Sequence, residues 1–313
     1  MLFTALDDIA AEISLTPMQA LGIPVAIVGA VFLSVGTQFQ HRGVDQFEGG
    51  DQRGAHLGGS AVLGLLRKPA WVLGTLLLGL AVVLQIGALA LAPLIVVQPL
   101  GAVALVVTAI LNARLARIKL DHRTIRAIGL CLVGIGIFVG VAAIFAVERP
   151  ISDRQLLTVL ALLVVALAGV GVLWWFYRHK ANAIFYIVTA GVLYGFVVTL
   201  SKIVINRIIS GQFEWLTVVC AVALVVALIA GSYAVQLAHA SGPPDLVIAG
   251  LTVVDPLVAV LIGVAVLGEA AATPPWAILV FAAAGALAVT GVLQLARHHP
   301  QIRPLAEAPE ETP

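Results

Sequence analysis

Long runs of apolar residues alternate along this chain with short segments that carry most of its charged residues. An α-helix needs about 20 apolar residues to cross a bilayer. Nine runs reach that length, at roughly 21–40, 70–91, 93–115, 125–147, 155–177, 182–205, 215–239, 244–268 and 275–295. The runs are too long, and alternate too little, to be strands of a membrane barrel. The pattern predicts an all-α integral membrane protein with nine transmembrane helices.

Two connections between the predicted helices are very short. Ala92 and Pro93 alone join the second and third runs, and an SGPP turn joins the seventh and eighth. Proline is tolerated at the start of a helix because the first turn does not need its missing N–H. These joints predict antiparallel helical hairpins.

The distribution of basic residues predicts the orientation in the membrane. With the N-terminus outside, 13 of the 17 lysines and arginines fall on cytoplasmic segments, as the positive-inside rule requires. The four others are Arg149, Arg154, Lys202 and Arg207. An odd number of spans then places the C-terminus inside. The pattern therefore predicts an N-out, C-in topology.

Composition agrees with a membrane protein and narrows its class. Hydrophobic residues make up 61% of the chain, charged residues make up 11%, and the net charge is +1. This balance gives no reason to expect nucleic acid as a partner. The two cysteines, Cys131 and Cys220, lie in separate apolar runs and suggest neither a disulfide framework nor a metal site.

The predicted helices divide into two groups of four, separated by a linker helix. The segment VVQPLGAVALVVTAILN aligns without a gap with TVVDPLVAVLIGVAVLGE, so that Gln98 corresponds to Asp255 and Asn112 to Glu269. Likewise Gln38 to His41 fall where Thr199 to Lys202 fall. Equivalent helices are five helices apart along the chain, an odd number, so the second copy is inverted in the membrane. Such repeats place a substrate site near the midplane and permit alternating access.

We accordingly divide the chain into five segments. They are an extracytoplasmic N-terminal segment 1–20, a first four-helix repeat 21–147 with a cytoplasmic loop 42–69, a linker helix 148–181, a second four-helix repeat 182–295, and a disordered cytoplasmic tail 296–313. The last part of the loop, SAVLGLLRKP, is predicted to form a short interfacial helix.

The segment from Ala88 to Val139 resembles the EamA-type repeat of the drug/metabolite transporter superfamily, and the LGE at 267–269 ends the second copy as that repeat commonly ends. The FQHRG at 39–43 and the AP…VQPLGA at 92–102 are most similar to the NIPA-like branch of proposed magnesium transporters. The resemblance covers roughly residues 20–295. It implies a transporter, with a magnesium or other divalent-cation permease as the branch-specific expectation.

Asp255 is the main candidate site residue, because a carboxylate near the middle of a span is costly unless it is paired or faces water. It lies about 16 Å into its span at 1.5 Å per residue. It could titrate as a proton-coupling carboxylate, bind a cation, or pair with a basic group. Pro256 removes a backbone hydrogen bond beside it and predicts a helix break. Gln98 and Pro99 are expected to form the equivalent polar position and helix break in the first copy.

Other polar residues inside the spans form a second set of substrate- or ion-binding candidates. Lys202 shares one helix face with Thr199 and Asn206, at spacings of three and four residues. A Lys202–Asp255 pair would need helix tilt and is left open. Four neutral glutamines complete the set. They are Gln98 and three further residues, Gln38, Gln85 and Gln236, which are predicted to line the cavity. Glu269 is expected to be an interfacial carboxylate at a helix end.

Small residues spaced four apart predict close helix packing at Gly191/Gly195 and Gly136/Gly140. No span carries paired carboxylates, a metal-ligand cluster, a nucleophile with a base, or a phosphate-binding loop. We therefore expect no enzymatic activity and no cofactor. A metal ion would enter only as cargo, with Asp255 as its ligand.

Three functions remain open. The first is a secondary transporter of a small solute by alternating access, proton-coupled through Asp255. The second is the divalent-cation permease. The third is a non-transporting scaffold or lipid-handling protein. Membrane lipid is an expected partner in all three, the sequence leaves a homodimer open, and the expected location is a bacterial plasma membrane.

Overall fold

The computed structural model describes residues 15–48, 65–115, 120–177 and 182–297. Within these ranges the protein is built from helices and connecting turns. Most of the N-terminal segment, the central part of the 42–69 loop with the start of the predicted interfacial helix, and nearly all of the C-terminal tail lie outside the described residues.

The helices follow the predicted order. In chain order they are α1 (Pro17–Ala20), α2 (Gly22–Glu48), α3 (Pro69–Leu91), α4 (Leu94–Leu100), α5 (Val103–Leu115), α6 (His122–Phe145), α7 (Asp153–Tyr177), α8 (Ala183–Ile209), α9 (Trp215–Ser241), α10 (Pro244–Ile262), a π-helical turn (Gly263–Leu267) and α11 (Pro275–Arg297). Across the described part of the chain, nine segments are long and apolar enough to cross a membrane, with α4 and α5 together forming the third. The predicted fold class is confirmed.

The third span is interrupted just after Pro99. Proline cannot donate to the carbonyl one turn earlier. Gly101 N instead donates to Gln98 O at 3.1 Å, and Ala102 N donates to Pro99 O at 3.2 Å. These tighter bonds separate α4 from α5. The break predicted at Pro256 is not present: the proline removes one backbone hydrogen bond, but the helix continues and α10 ends only at Ile262.

Helix pairs pack in a pattern that occurs twice. α2 packs along α3 and against α5, while α8 packs along α9 and against α10. α6 lies along α11, and α7 borders α8 and α9 at the side of the bundle. Each pair in the first four spans thus has a counterpart in the second four, as an inverted repeat requires. The repeat itself and the membrane orientation stay predictions.

Glycines allow the closest helix approaches. A Cβ on Gly191 would lie 2.6 Å from the Val254 side chain, and one on Gly195 would lie 2.7 Å from Val258, so α8 approaches α10 as predicted. The same prediction is wrong for Gly136 and Gly140, where an added Cβ meets nothing within 4 Å. The spacing is the same in both pairs, but the second faces outward.

Large apolar side chains cover the outside of the bundle. Leu76, Val165 and Ile229 are each about two-thirds exposed. A soluble domain rarely exposes such a surface over its whole circumference. This surface fits contact with lipid hydrocarbon, where helices satisfy their own backbone hydrogen bonds.

Candidate functional site

Pro99 and Pro256 line the same cavity. The cavity has a volume of about 100 Å³ and lies among α4, α6, α10 and α11, with Ala102 after α4 as a further lining residue. Its walls are almost entirely carbon, including Phe138 and Val260. The structure therefore brings the two proline positions of the aligned segments to one space between the predicted repeats.

Two polar atoms beside these prolines are buried without a partner. Gln98 is 5% exposed, and neither its Nε2 nor the Oδ1 of Asp255 makes a hydrogen bond within the described part of the chain. Buried polar groups in folded proteins are nearly always satisfied by protein or water. Asp255 and Gln98 are consequently the two positions in the described spans where an incoming polar ligand or ion would gain most.

Gln98 lies nearer the predicted outer end of the bundle than Asp255. Gln98 is four residues beyond Leu94, the first residue of α4, which corresponds to about 6 Å of helix. Asp255 lies in the middle of α10, which runs from Pro244 to Ile262. The two residues thus lie at different depths, and the prolines next to them, rather than their own side chains, line the cavity.

Lys202 is buried in a cluster of charges at the predicted outer end. The residue is 1% exposed. Its Nζ donates to Ala92 O at 2.8 Å and lies 2.9 Å from Glu148 Oε1 and 3.4 Å from Glu269 Oε1. Lys202 therefore pairs with Glu148 and Glu269, and not with Asp255.

Glu269 is buried, and the prediction of an interfacial carboxylate is wrong. The residue is only 2% exposed. Its Oε1 accepts the N–H of Leu94 and its Oε2 accepts that of Ile95, both at 2.9 Å. First-turn N–H groups have no partner within their own helix and carry the positive end of its dipole. Glu269 caps α4 from a distant part of the sequence.

The chain turns sharply to bring Glu269 inward. The π-helical turn ends at Gly268, which has φ 73° and ψ 26°, in the left-handed region that glycine tolerates best. Glu269 N then donates to Gly263 O at 3.0 Å. A Cβ on Gly263 would lie 2.8 Å from Glu269 Oε2, so glycine at 263 leaves room for the carboxylate.

Glu148 ties the end of the first predicted repeat to this cluster. Its Oε2 accepts a hydrogen bond from Gln19 Nε2 at 3.0 Å, and the neighbouring Val147 N donates to Glu269 O at 2.9 Å. The Glu148 side chain keeps 20% of its surface exposed. Side chain and backbone both join the two halves here.

Arg207 forms a second buried charge cluster one turn further along α8. It is 4% exposed and pairs with Asp153 at 2.8 Å and with Glu214 at 3.2 Å. Its Nε also donates to Thr217 Oγ1 at 2.8 Å. Lys202 and Arg207 were two of the four exceptions to the positive-inside distribution. Both are paired with carboxylates, which offsets the cost of burying their charges.

A neutral contact occupies the opposite, predicted inner end. Gln38 Nε2 donates to Asn112 Oδ1 and joins α2 to α5. Nearby, Ser34 Oγ donates to Ala104 O at 2.7 Å. Asn112 aligns with Glu269 in the two repeat segments. Gln38 aligns with Thr199 and not with Lys202, so only Asn112 corresponds to a member of the Lys202–Glu269 pair.

The remaining predicted site residues do not converge on the cavity. Thr199 is fully buried and donates its hydroxyl to Gly195 O at 2.9 Å within its own helix. Asn206 and Gln85 are half-buried, and Gln236 is exposed on the outside of α9. Among the described residues, no group of three His, Cys, Asp or Glu side chains is placed to hold a metal ion.

Sequence reasoning missed Glu148 and undervalued Glu269. One signal could have found both: a lysine inside a span needs a counter-charge. The predicted topology places Glu148 and Glu269 in loops at the end of the bundle nearest Lys202. The left-handed turn at Gly268, which directs Glu269 inward, has only a weak sequence signal.

Taken together, the nine apolar spans of the described chain define a polytopic membrane protein, and the buried polar groups beside Pro99 and Pro256 mark a candidate site within it. Residues 18–273 match the family described as Magnesium transporter NIPA, and the chain belongs to that family. It is a membrane transporter of the drug/metabolite transporter superfamily, as the sequence motifs predicted.

An uncharacterized protein of Corynebacterium glutamicum is 25% identical over 279 residues, which cover 88% of this chain and 95% of that protein. No solved structure matches the chain significantly. The family membership argues against the third alternative, a scaffold that transports nothing.

Proposed function

We propose that this protein moves Mg²⁺ or a similar divalent cation across the membrane by alternating access, with Asp255 as the charged group on the path. The observation that carries the proposal is the buried Oδ1 of Asp255, which lacks a hydrogen-bond partner in the described chain. The family to which the chain belongs is named for magnesium transport.

The chemistry of Mg²⁺ fits a site with few protein ligands. The ion gives up its waters reluctantly and is usually held by one or two carboxylates, with water filling the other positions. Asp255 supplies one carboxylate. Gln98 supplies an amide whose oxygen and nitrogen can exchange places by rotation of the side chain. A hydrated ion could therefore be held with Asp255 as the only charged ligand.

A second candidate function is proton-coupled transport of a small solute. The almost wholly apolar lining of the cavity favours it, because such walls suit a solute with apolar surface better than an ion. In this case Asp255 would carry the coupling proton.

Flux measurements separate the two functions. Purified protein in liposomes that contain a fluorescent Mg²⁺ reporter should show Mg²⁺ entry that survives collapse of the proton gradient. If Mg²⁺ does not enter, but protons enter with a labelled solute, the second function is correct. Gln236→Ala is a suitable control, because Gln236 is a polar residue inside a span but lies on the exposed face of α9.

A further inference from the structure

The contacts around Lys202 join the two halves of the protein at one end of the bundle. Ala92, Leu94 and Glu148 belong to the first predicted repeat or its boundary, while Lys202 and Glu269 belong to the second. We call Glu148, Lys202 and Glu269 the outer latch. The Lys202 ammonium contacts Ala92 and Glu148 across the boundary between the halves. Its other partner is Glu269, which itself binds the first half.

The outer latch lies directly next to the proposed path. Glu269 binds the first N–H groups of α4, and Gln98 follows one helical turn later, about 6 Å away. Leu94, Ile95, Val96 and Val97 between them are at most 2% exposed. While the latch is closed, this segment of α4 has almost no contact with solvent.

The contact at the opposite end of the bundle is weaker and lies within one half, because Gln38 of α2 and Asn112 of α5 both belong to the first predicted repeat. Gln38 and Asn112 make one neutral hydrogen bond, whereas the outer latch combines two carboxylates, one ammonium and two helix N–H groups. Charge-assisted hydrogen bonds are roughly twice as strong as neutral ones. Removing one partner of a buried ion pair is costlier still, because the other charge is left uncompensated.

We propose that the outer latch is the gate at the predicted outer end, that it is closed in this structure, and that transport requires Glu148 to separate from Lys202 and Glu269. The inference rests on the proposed alternating access. The gate at the Lys202 end then limits entry from that side.

The first test measures access to α4 and needs no substrate. Val97→Cys is placed in a background in which the two native buried cysteines are removed by Cys131→Ala and Cys220→Ala. A membrane-impermeant maleimide is then applied from the side of the membrane that carries Glu148. Adding Lys202→Met should raise the labelling rate at position 97 about tenfold or more, since it leaves two carboxylates facing each other.

Arg207→Met is the matched control. Arg207 is a buried, paired cation at the same end of α8, but its partners Asp153, Glu214 and Thr217 lie in the linker helix and the second half. This substitution should change the labelling rate by less than about twofold, because it leaves the outer latch intact. Equal labelling in Lys202→Met and the background protein would overturn the proposal, as would equal acceleration by both substitutions.

The second test keeps the latch residues unchanged and thus does not depend on the folding of a latch variant. Val147→Cys and Ala270→Cys are introduced together in the same cysteine-free background, next to the hydrogen bond from Val147 N to Glu269 O. A short thiol crosslinker should abolish Mg²⁺ flux, and reductive release should restore it. Full flux in the crosslinked protein would refute the gate.

The proposal that Mg²⁺ is the cargo can be refuted without refuting the gate. If the background protein moves no Mg²⁺ but Lys202→Met still accelerates labelling at position 97, the gate holds and the magnesium assignment is wrong. In that case the crosslinking test is repeated with proton flux as its readout.

Discussion

The carboxylate of Glu269 accepts the backbone N–H of Leu94 at 2.9 Å, although 175 positions separate the two residues. One contact therefore caps a helix of the first half with a side chain of the second. The same carboxylate faces Lys202, whose ammonium also reaches the carbonyl of Ala92. Helix capping and charge neutralisation depend on each other here, and this coupling leads to the first prediction.

Glu269→Ala should lower the stability of the folded protein by about 3 kcal/mol, because it leaves Lys202 with one fewer counter-charge and two helix N–H groups unbonded. Glu269→Gln should cost less, since one amide oxygen can still accept from α4. Unfolding of the purified variants in detergent measures the difference. Glu214→Ala is the control, because the side chain of Glu214 is 62% exposed and an exposed ion pair contributes about 1 kcal/mol or less. Equal losses in Glu269→Ala and Glu214→Ala would contradict this account of the capping.

Gly263→Ala should disturb the outer latch without removing any charge. The new Cβ would lie 2.8 Å from Glu269 Oε2 and 3.3 Å from the Cβ of Leu94. Overpacking of this kind typically costs about 1–3 kcal/mol. Gly136→Ala is the control, since its Cβ would meet nothing within 4 Å. Thermal unfolding of both variants provides the comparison, and an unchanged midpoint in Gly263→Ala would show that the carboxylate has room to move.

Gln38 and Asn112 should be coupled energetically. A double-mutant cycle with Gln38→Ala and Asn112→Ala should give an interaction energy of about 1 kcal/mol, the usual contribution of a neutral hydrogen bond. Unfolding midpoints of the two single variants and the double variant supply the data. Strictly additive losses would mean that the contact does not stabilise the packing of α2 on α5.

The sequence predicted the helices well because bilayer thickness and apolar composition determine them almost directly. It also predicted the short corner at Pro93 and the interruption after Pro99, since proline has a local and general effect on hydrogen bonding. The aligned segments also gave Pro99 and Pro256 equivalent positions in the two predicted repeats, and both prolines line one cavity.

The ionic cluster was harder to predict because its members come together only in three dimensions. Lys202, Glu148 and Glu269 lie in three separate parts of the chain, and each alone is typical of a residue near a membrane surface. The exposure of Gln236 could not be predicted either. The polar residues near it in α9, such as Ser232 and Tyr233, do not distinguish a side that lines a cavity from one that faces outward.

The central claim is that Asp255 carries the charge that the cation meets on its path. The most direct measurement is the initial rate of Mg²⁺ entry into liposomes containing wild-type protein, Asp255→Asn, Asp255→Glu or the control Gln236→Ala. Asp255→Asn should lower the rate of Mg²⁺ entry about tenfold or more, because it removes the only carboxylate at mid-membrane depth in the described spans. Asp255→Glu should retain part of the rate, and Gln236→Ala should match wild type. Mg²⁺ entry through Asp255→Asn at the wild-type rate would contradict the account.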